Sequence, residues 1–320
     1  MGGLHPAYEF AQQALSHGKH FVTANKLLVS VYGPELTKLA KDNGVAFLYG
    51  AACGGGIAYL ANLEIARNID RIVVLGGILN GTTNYILDSM QSRNMDYAKA
   101  LAEAQALGYA ERDPSSDVDG LDTMRKLILA CAVGFDAYVQ PEEIPTFGIS
   151  AVLPLDVEQA RAKGRVLRLC ASARRAEDGA LSACVEPTLV SASAPEAAIL
   201  KNVNYAWYEG ECYGLMSYIG QGAGKLPTAA KVLRDVRSVA AGRRYMTSES
   251  CSAVHPDNAS ARHAYYLRVP AGAEIPAEWA AEKRSCDAWD LYEVKGAPVS
   301  EMHALAARIP GAFFAAIQEA

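Results

Sequence analysis

The chain has no excess of basic residues. Lys+Arg 30 against Asp+Glu 35 gives a formal charge of −5 over 320 residues, with no basic block along the chain, which argues against nucleic acid as a partner. It has no CxxC pair: Cys53, Cys131, Cys170, Cys184, Cys212, Cys251 and Cys286 are dispersed, without metal-ligand spacing, as in a reduced cytosolic protein. No apolar run approaches the ~18 residues of a membrane helix. The N-terminus MGGLHPAYEF has neither a basic n-region nor an apolar h-region, so the expected location is cytoplasmic, with no membrane partner. His5, His17 and His20 are too irregular for a metal site, and His255, His263 and His303 stand alone. Repeats and low-complexity tracts are also missing. What is present is a 51% hydrophobic composition, enough for a large core, on a chain long enough for two or three domains.

The opening residues predict alternating helices and strands. Helical spacing covers 6–17, a short strand covers 20–24, Pro34 stands near the start of a second helix reaching about Asn43, and "VAFLYG" is a buried strand. This is α/β crossover architecture, without the strand, GxGxxG turn and helix that open a doubly wound nucleotide fold. "ACGGGIAY" follows a strand but lacks that glycine spacing. A strand from Arg71 then leads into "GGILNGTTNYIL", where Asn80, Thr82 or Thr83 can cap a helix; Asp96 opens the next helix and Gly108 ends it. Beyond Pro141 strands dominate, including a hairpin folding back near Gly210. "GQGAGKLPTAAKVLRDVRSVAAG" restores a Gly-rich loop before a helix. Its free backbone N–H groups suit a phosphate or pyrophosphate, or it is simply a tight loop before an ordinary helix. The segment after about Tyr245 has the order of a small βαββαβ module.

The stretch "GYAERDPSSDVDGLDTMRK" places Glu111, Asp113, Asp117, Asp119 and Asp122 ahead of Lys126. A helix from about Gly120 puts Asp122 and Lys126 one turn apart on one face. The plainer alternative is a helix-end ion pair with Asp119 as the cap. Against it stands the apolar run "LILACAV" beside the lysine, which predicts partial burial, where charge must be paired. A positioned ammonium can donate a proton to a developing alkoxide, and carboxylates can hold a substrate ammonium.

"GKHFVTANK", "GGILNGTTNYIL", "GYAERDPSSDVDGLDTMRKL" and "GQGAGKLPTA" occur in the order and approximate spacing of homoserine dehydrogenases, which the sequence resembles from Met1 to about Gly242. The resemblance implies interconversion of L-aspartate 4-semialdehyde and L-homoserine with NADP or NAD, in threonine and methionine biosynthesis. Residue by residue it implies Lys126 as proton donor, Lys26 at the junction of cofactor and substrate, and Gly222 and Gly224 at the cofactor. Gly108, Glu111, Asp117 and Asp122 fall on the amino-acid substrate. It also implies a monovalent cation, Na+ or K+, held by backbone carbonyls of Gly50, Cys53, Gly55 and Ile57. Here the glutamate usual at Gly50 and the proline usual at Ala58 are absent.

The expected fold is α/β. Residues 1–49 and 220–242 form a partial, Rossmann-like NAD(P)-binding domain, 50–219 an α+β substrate, catalytic and dimerisation domain, and 243–320 a degenerate ACT-like regulatory module. The resemblance places the GxGxxG part upstream of Met1 and implies a homodimer or higher oligomer, with a separate N-terminal half as a further partner. Two outcomes stay open: a dehydrogenase, or a catalytically inactive truncated or regulatory paralogue that binds an amino acid.

Overall fold

Buried Ala7, Ala11 and Leu15 make a single apolar stripe along α1 (Ala7–Ser16), which leads to the short strand β1 (Phe21–Val22). The computed structural model describes residues 2–280 and 282–318; Met1, Ala281, Glu319 and Ala320, within the expected terminal segments, lie outside the described residues. Asn25 caps α2 (Lys26–Asp42), its side chain accepting from the Leu28 N–H. The helix therefore starts well before Pro34, which sits in its interior, contrary to the sequence expectation. Pro34 deprives the Ser30 carbonyl of a helical donor, and the cap together with burial of Leu28, Val29, Leu36 and Ala40 outweighs that loss. β2 (Phe47–Leu48) pairs with β1 in parallel.

α3 (Tyr59–Arg67) and β3 (Ile72–Ile78) follow, then α4 (Gly81–Arg93), capped by Asn80, and α5 (Tyr97–Ala106), capped by Asp96. After α6 (Ser115–Val118) comes α7 (Leu121–Gly134). Asp119 does not cap α7; Gly120, at φ 86°, takes the N-cap position, a left-handed conformation that glycine adopts without strain. From Leu127 onward α7 is buried, packed against α2, α3 and the strand β3.

The remaining elements are β4 (Ala137–Tyr138), α8 (Pro154–Ala162), β5 (Arg165–Arg175), β6 (Leu181–Ser191), β7 (Val203–Gly210), β8 (Gly214–Gln221), α9 (Lys225–Ala240), β9 (Ser252–Ala253), β10 (Arg262–Pro270), β11 (Lys283–Cys286), β12 (Trp289–Pro298), α10 (Val299–Arg308) and β13 (Phe313–Ile317). Among the described residues the large sheet has the order β11-β12-β10-β13-β6-β5-β3-β7-β8. Its pairings are antiparallel except β13 with β6, joined through Ala316↔Thr188 and Ile317↔Leu189. The C-terminal strands thus extend the central sheet while keeping an apolar cluster of their own around Tyr265, Leu267, Met302 and Phe314.

That seam gathers two of the histidines. His263 and His303, isolated in sequence, flank the buried Glu186, with His263 Nδ1 2.7 Å and His303 Nε2 3.0 Å from its carboxylate. Cys184, Glu186 and His263 bring ligand-type atoms within 4.8 Å of one another. Among the described residues no helix is long and apolar enough to cross a membrane.

Candidate active site

The start of α7 and the start of α4 meet at one carboxylate. Asp122 Oδ2 is 2.8 Å from Lys126 Nζ, one turn along α7, and Asp122 Oδ1 is 2.8 Å from Nζ of Lys26, the first residue of α2. Asn80 joins them: its Oδ1 accepts from Thr83 N–H to start α4, and its Nδ2 donates to Asp122 Oδ2 at 2.9 Å and to Asp117 Oδ1 at 2.7 Å. Lys126 also donates to the Leu79 carbonyl at 2.5 Å. Two of its three N–H donors are thereby used, leaving one for a ligand oxygen.

Exposure separates the two lysines. The Lys126 side chain is 9% exposed and that of Lys26 36%, so Lys126 lies at the floor and Lys26 at the mouth. Burial works against the charge of Asp122, yet the Lys126 and Lys26 ammoniums outweigh it and hold the carboxyl well below the usual range. Burial likewise opposes the charge on Lys126, and Asp122 overrides it, holding the ammonium above the ordinary lysine value. Asp117 goes the other way: burial first, then the charge of Asp122, push its carboxyl up. Two carboxyls on one Asn80 amide are thus driven apart, a pattern typical of sites that handle protons.

Not every expected residue joins this group. Gly108 follows α5 at φ 74°, and its loop is tied to α4 by Thr82 Oγ1 donating to the Tyr109 carbonyl at 2.5 Å. The Glu111 carbonyl accepts from Gln105 Nε2 at 3.0 Å, but the Glu111 side chain is exposed. Among the described residues no hydrogen bond or ion pair links it to Asp122, Asp117 or either lysine. Asp113 and Asp119 are exposed as well.

The glycine loop lies on the other side. A Cβ at Gly222 would fall 2.1 Å from the Asn204 side chain, and one at Gly55 would fall 2.4 Å from the Gly222 backbone, so the 54–57 turn and the 222–224 loop press directly together. Gly56 N–H donates to the Gln221 carbonyl at 3.0 Å. α9 begins after Gly224 with no side-chain cap, leaving its first N–H groups open beside a groove of about 850 Å³ lined by Gly224, Lys225, Thr228, Ala229, Val232 and Leu233.

The expected cation ring is filled from within. Lys231 Nζ donates to the carbonyls of Gly50 at 3.2 Å and Cys53 at 3.3 Å, and to that of Ile57. Gly55 contributes no carbonyl to Lys231. Burial pulls Lys231 down to about 8.

The family model for homoserine dehydrogenase matches residues 59–236, and that for the homoserine dehydrogenase NAD-binding domain matches residues 1–50. The chain belongs to the homoserine dehydrogenase family. It is 40% identical over 272 residues to the homoserine dehydrogenase of Synechocystis sp., covering 84% of this chain and 62% of that protein. To the Bacillus subtilis enzyme it is 39% identical over 240 residues, covering 75% and 55%. The chain therefore spans less than two thirds of these relatives. A homoserine dehydrogenase from Thiobacillus denitrificans superimposes with a TM-score of 0.86 at 31% identity, covering all of this chain and 81% of that one. A hyperthermophilic archaeal homoserine dehydrogenase mutant in complex with NADPH gives 0.63 at 25% identity, covering 74% and 69%.

Within this homoserine dehydrogenase fold two residues escaped the sequence reading as site residues. Asn80 was visible only as a possible helix cap, because its second partner, Asp122, lies 42 residues on. Lys231 carried no such signal: it is the fold that makes Lys231 and Asp235, one turn apart, the buried residues of α9, so that the inward face of that helix is charged.

Proposed function

We propose that the chain carries the substrate site of a homoserine dehydrogenase, reducing L-aspartate 4-semialdehyde to L-homoserine and the reverse. The observation that carries this reading is Asp122 held between the Lys126 and Lys26 ammoniums. In the reductive direction the aldehyde oxygen gains negative charge, and Lys126, kept protonated by Asp122, gives it the proton. The substrate's own ammonium, drawn to Asp117 and Asp122, competes for the carboxylate that restrains Lys126 and so makes the lysine a better acid. Lys26, at the mouth and on the same carboxylate, returns a proton from solvent. A nicotinamide cofactor, NADP or NAD, supplies the hydride when bound; Lys26, Gly222, Gly224 and the uncapped start of α9 fit its nicotinamide end and a phosphate. Gly108 and Glu111 complete the substrate side.

We assign residues 1–49 and 220–242 to cofactor binding, 50–219 to substrate binding and 243–320 to an ACT-like module. Exposed Leu215 and Ile219 on the edge strand β8 support a homodimer through that edge, and the free cysteines a cytoplasmic setting. The test pairs calorimetric titration with L-homoserine and a turnover assay following NADPH absorbance with L-aspartate 4-semialdehyde. Binding lost in Asp122→Ala, with turnover in the unaltered chain, is expected. Binding without turnover favours the amino-acid-binding paralogue, and no binding overturns the assignment of the site.

A further inference from the structure

The 50–57 turn directs the carbonyls of Gly50, Cys53 and Ile57 toward one point, and Lys231 Nζ occupies it. Each carbonyl oxygen is the negative end of a dipole, so their convergence is unfavourable unless a positive charge sits between them. Lys231 is only 4% exposed. An ammonium so deeply buried is costly without partners, and these oxygens are the partners that its N–H donors find. The family resemblance implies a free Na+ or K+ on this same turn. The residues present do not fit one: an ammonium is close to K+ in size, and this one is covalently fixed at the focus of the ring.

The surroundings are shaped for it. A Cβ at Gly50 would fall 2.8 Å from Asp235 Oδ1 and 2.9 Å from Oδ2, so the absence of a side chain there leaves room for the fully buried Asp235 carboxylate. Asp235 lies one turn beyond Lys231 on α9; its charge favours the ammonium, against burial and the larger opposing effect of the neighbouring Arg234. The turn thus held touches both halves of the proposed site. Gly55 and Gly56 pack on the 221–223 loop, and Cys53 Sγ lies 4.0 Å from the Lys126 carbonyl on α7.

We propose that Lys231 is a built-in cation: its ammonium takes the place of a free monovalent ion in the 50–57 turn and makes the turn's order independent of Na+ and K+. The inference concerns the turn, and its test reads stability, so it stands or falls apart from the dehydrogenase reading.

The experiment melts the purified chain at constant ionic strength while Na+ or K+ is exchanged for tetramethylammonium, which is too large for the ring. The unaltered chain is expected to keep the same Tm throughout. Lys231→Ala, which empties the ring, is expected to lose roughly 5–10 °C in tetramethylammonium and to recover part of it saturably with K+, Na+ or NH4+. Lys231→Met, which fills the same channel without charge, should lose stability with no ion recovery. Thallium(I) NMR on the same samples should show a bound ion in Lys231→Ala and none in the unaltered chain. A saturable rise in Tm with K+ or Na+ in the unaltered chain, or thallium bound to it in this turn, overturns the proposal. So does a Lys231→Ala protein as stable as the parent and indifferent to ions. If neither variant folds, the two measurements on the unaltered chain still decide.

Discussion

Of the carboxylates buried among the described residues, two that lie between pairs of bases teach different things. Asp122 lies between Lys126 and Lys26 where α7, α4 and α2 meet; Glu186 lies between His263 and His303 where β6 meets β10 and α10. Both carboxyls are held below their ordinary range by those partners against the opposing pull of burial. Around Glu186 the accounts close: Tyr265 OH adds a third donor at 3.3 Å, and the neighbouring Cys184 thiol is pushed up by burial and by Glu186 itself, so it stays neutral. Around Asp122 they do not. A second carboxyl, Asp117, is crowded onto the same Asn80, a lysine reaches the mouth, and one Lys126 donor is left over. Buried charge by itself marks stability or function equally well; surplus polar groups aimed at one point mark function.

The comparison breaks most visibly at its centre. Asp122→Ala leaves Lys126 buried without its counter-charge, so it should remove both homoserine binding and turnover, with a loss in kcat/KM of at least about 10³-fold and several kcal/mol of stability. Chemical denaturation alongside kinetics separates the two. Lys126→Ala keeps Asp122 paired with Lys26 and should lower kcat by roughly 10²–10⁴-fold with little change in KM. Lys26→Ala should do less, since solvent can stand in for a residue at the mouth. If Lys26→Ala were the dead variant and Lys126→Ala near normal, the roles assigned to floor and mouth would have to be exchanged.

At the seam the expected signature is stability without chemistry. Glu186 is held down at about 2 in the folded chain, against an ordinary value near 4.5. Between those values the unfolded chain binds the proton that the folded chain refuses, so the contribution is complete above the ordinary value and is lost as pH falls toward 2. It amounts to at most roughly 3 kcal/mol, the electrostatic part owed to His263 and His303 being present only while those imidazoles carry a proton. Glu186→Gln should remove most of it and flatten the acid limb of a stability profile, with kcat unchanged in the molecules that remain folded. His263, His303, Tyr265 and Cys184 are the titratable groups facing it, and the mutant leaves them in place. A fall in kcat in fully folded Glu186→Gln protein would show that the seam belongs to the reaction after all.

How much of this was visible in sequence follows from distance along the chain. The Asn80 and Asp96 caps, the Gly108 end and the Asp122–Lys126 pair are local, governed by spacing within a turn or two, and they hold. The start of α2 was missed because the apolar run at 27–32 followed by Gly-Pro resembles a strand and a turn, while one hydrogen bond from Leu28 N–H to Asn25 sets the helix start. The bond from Asn80 to Asp122 spans 42 residues, Lys231 to the Gly50 carbonyl 181, and His303 to Glu186 117. No pattern of period 2 or 3.6 encodes such pairs. Motif resemblance proposes the Gly50, Cys53 and Ile57 carbonyls as ligands of a free cation, and in the structure these three carbonyls meet Lys231 Nζ. It could not tell that a lysine from α9 would fill them, since that follows from the packing of α9 on the turn.

The gentlest test concerns a residue on the margin of the comparison. Resemblance places Glu111 on the substrate, yet its side chain is exposed, while its backbone is fixed: Tyr109 is bonded to Thr82, and the Glu111 carbonyl to Gln105. A carboxylate so anchored can rotate about its own side-chain bonds toward a substrate ammonium without moving the loop. Its contribution is then made only when substrate is bound, and is shared with solvent screening, which keeps it small. Glu111→Gln should leave Tm unchanged, raise KM for the amino-acid substrate about 3- to 10-fold and leave kcat within about twofold, the mark of binding lost equally from ground and transition states. Steady-state kinetics with a melting curve on the same preparation measures all three. An unchanged KM would confine substrate recognition to Asp117 and Asp122, and the contrast with Glu186 would then rest on the buried pair alone.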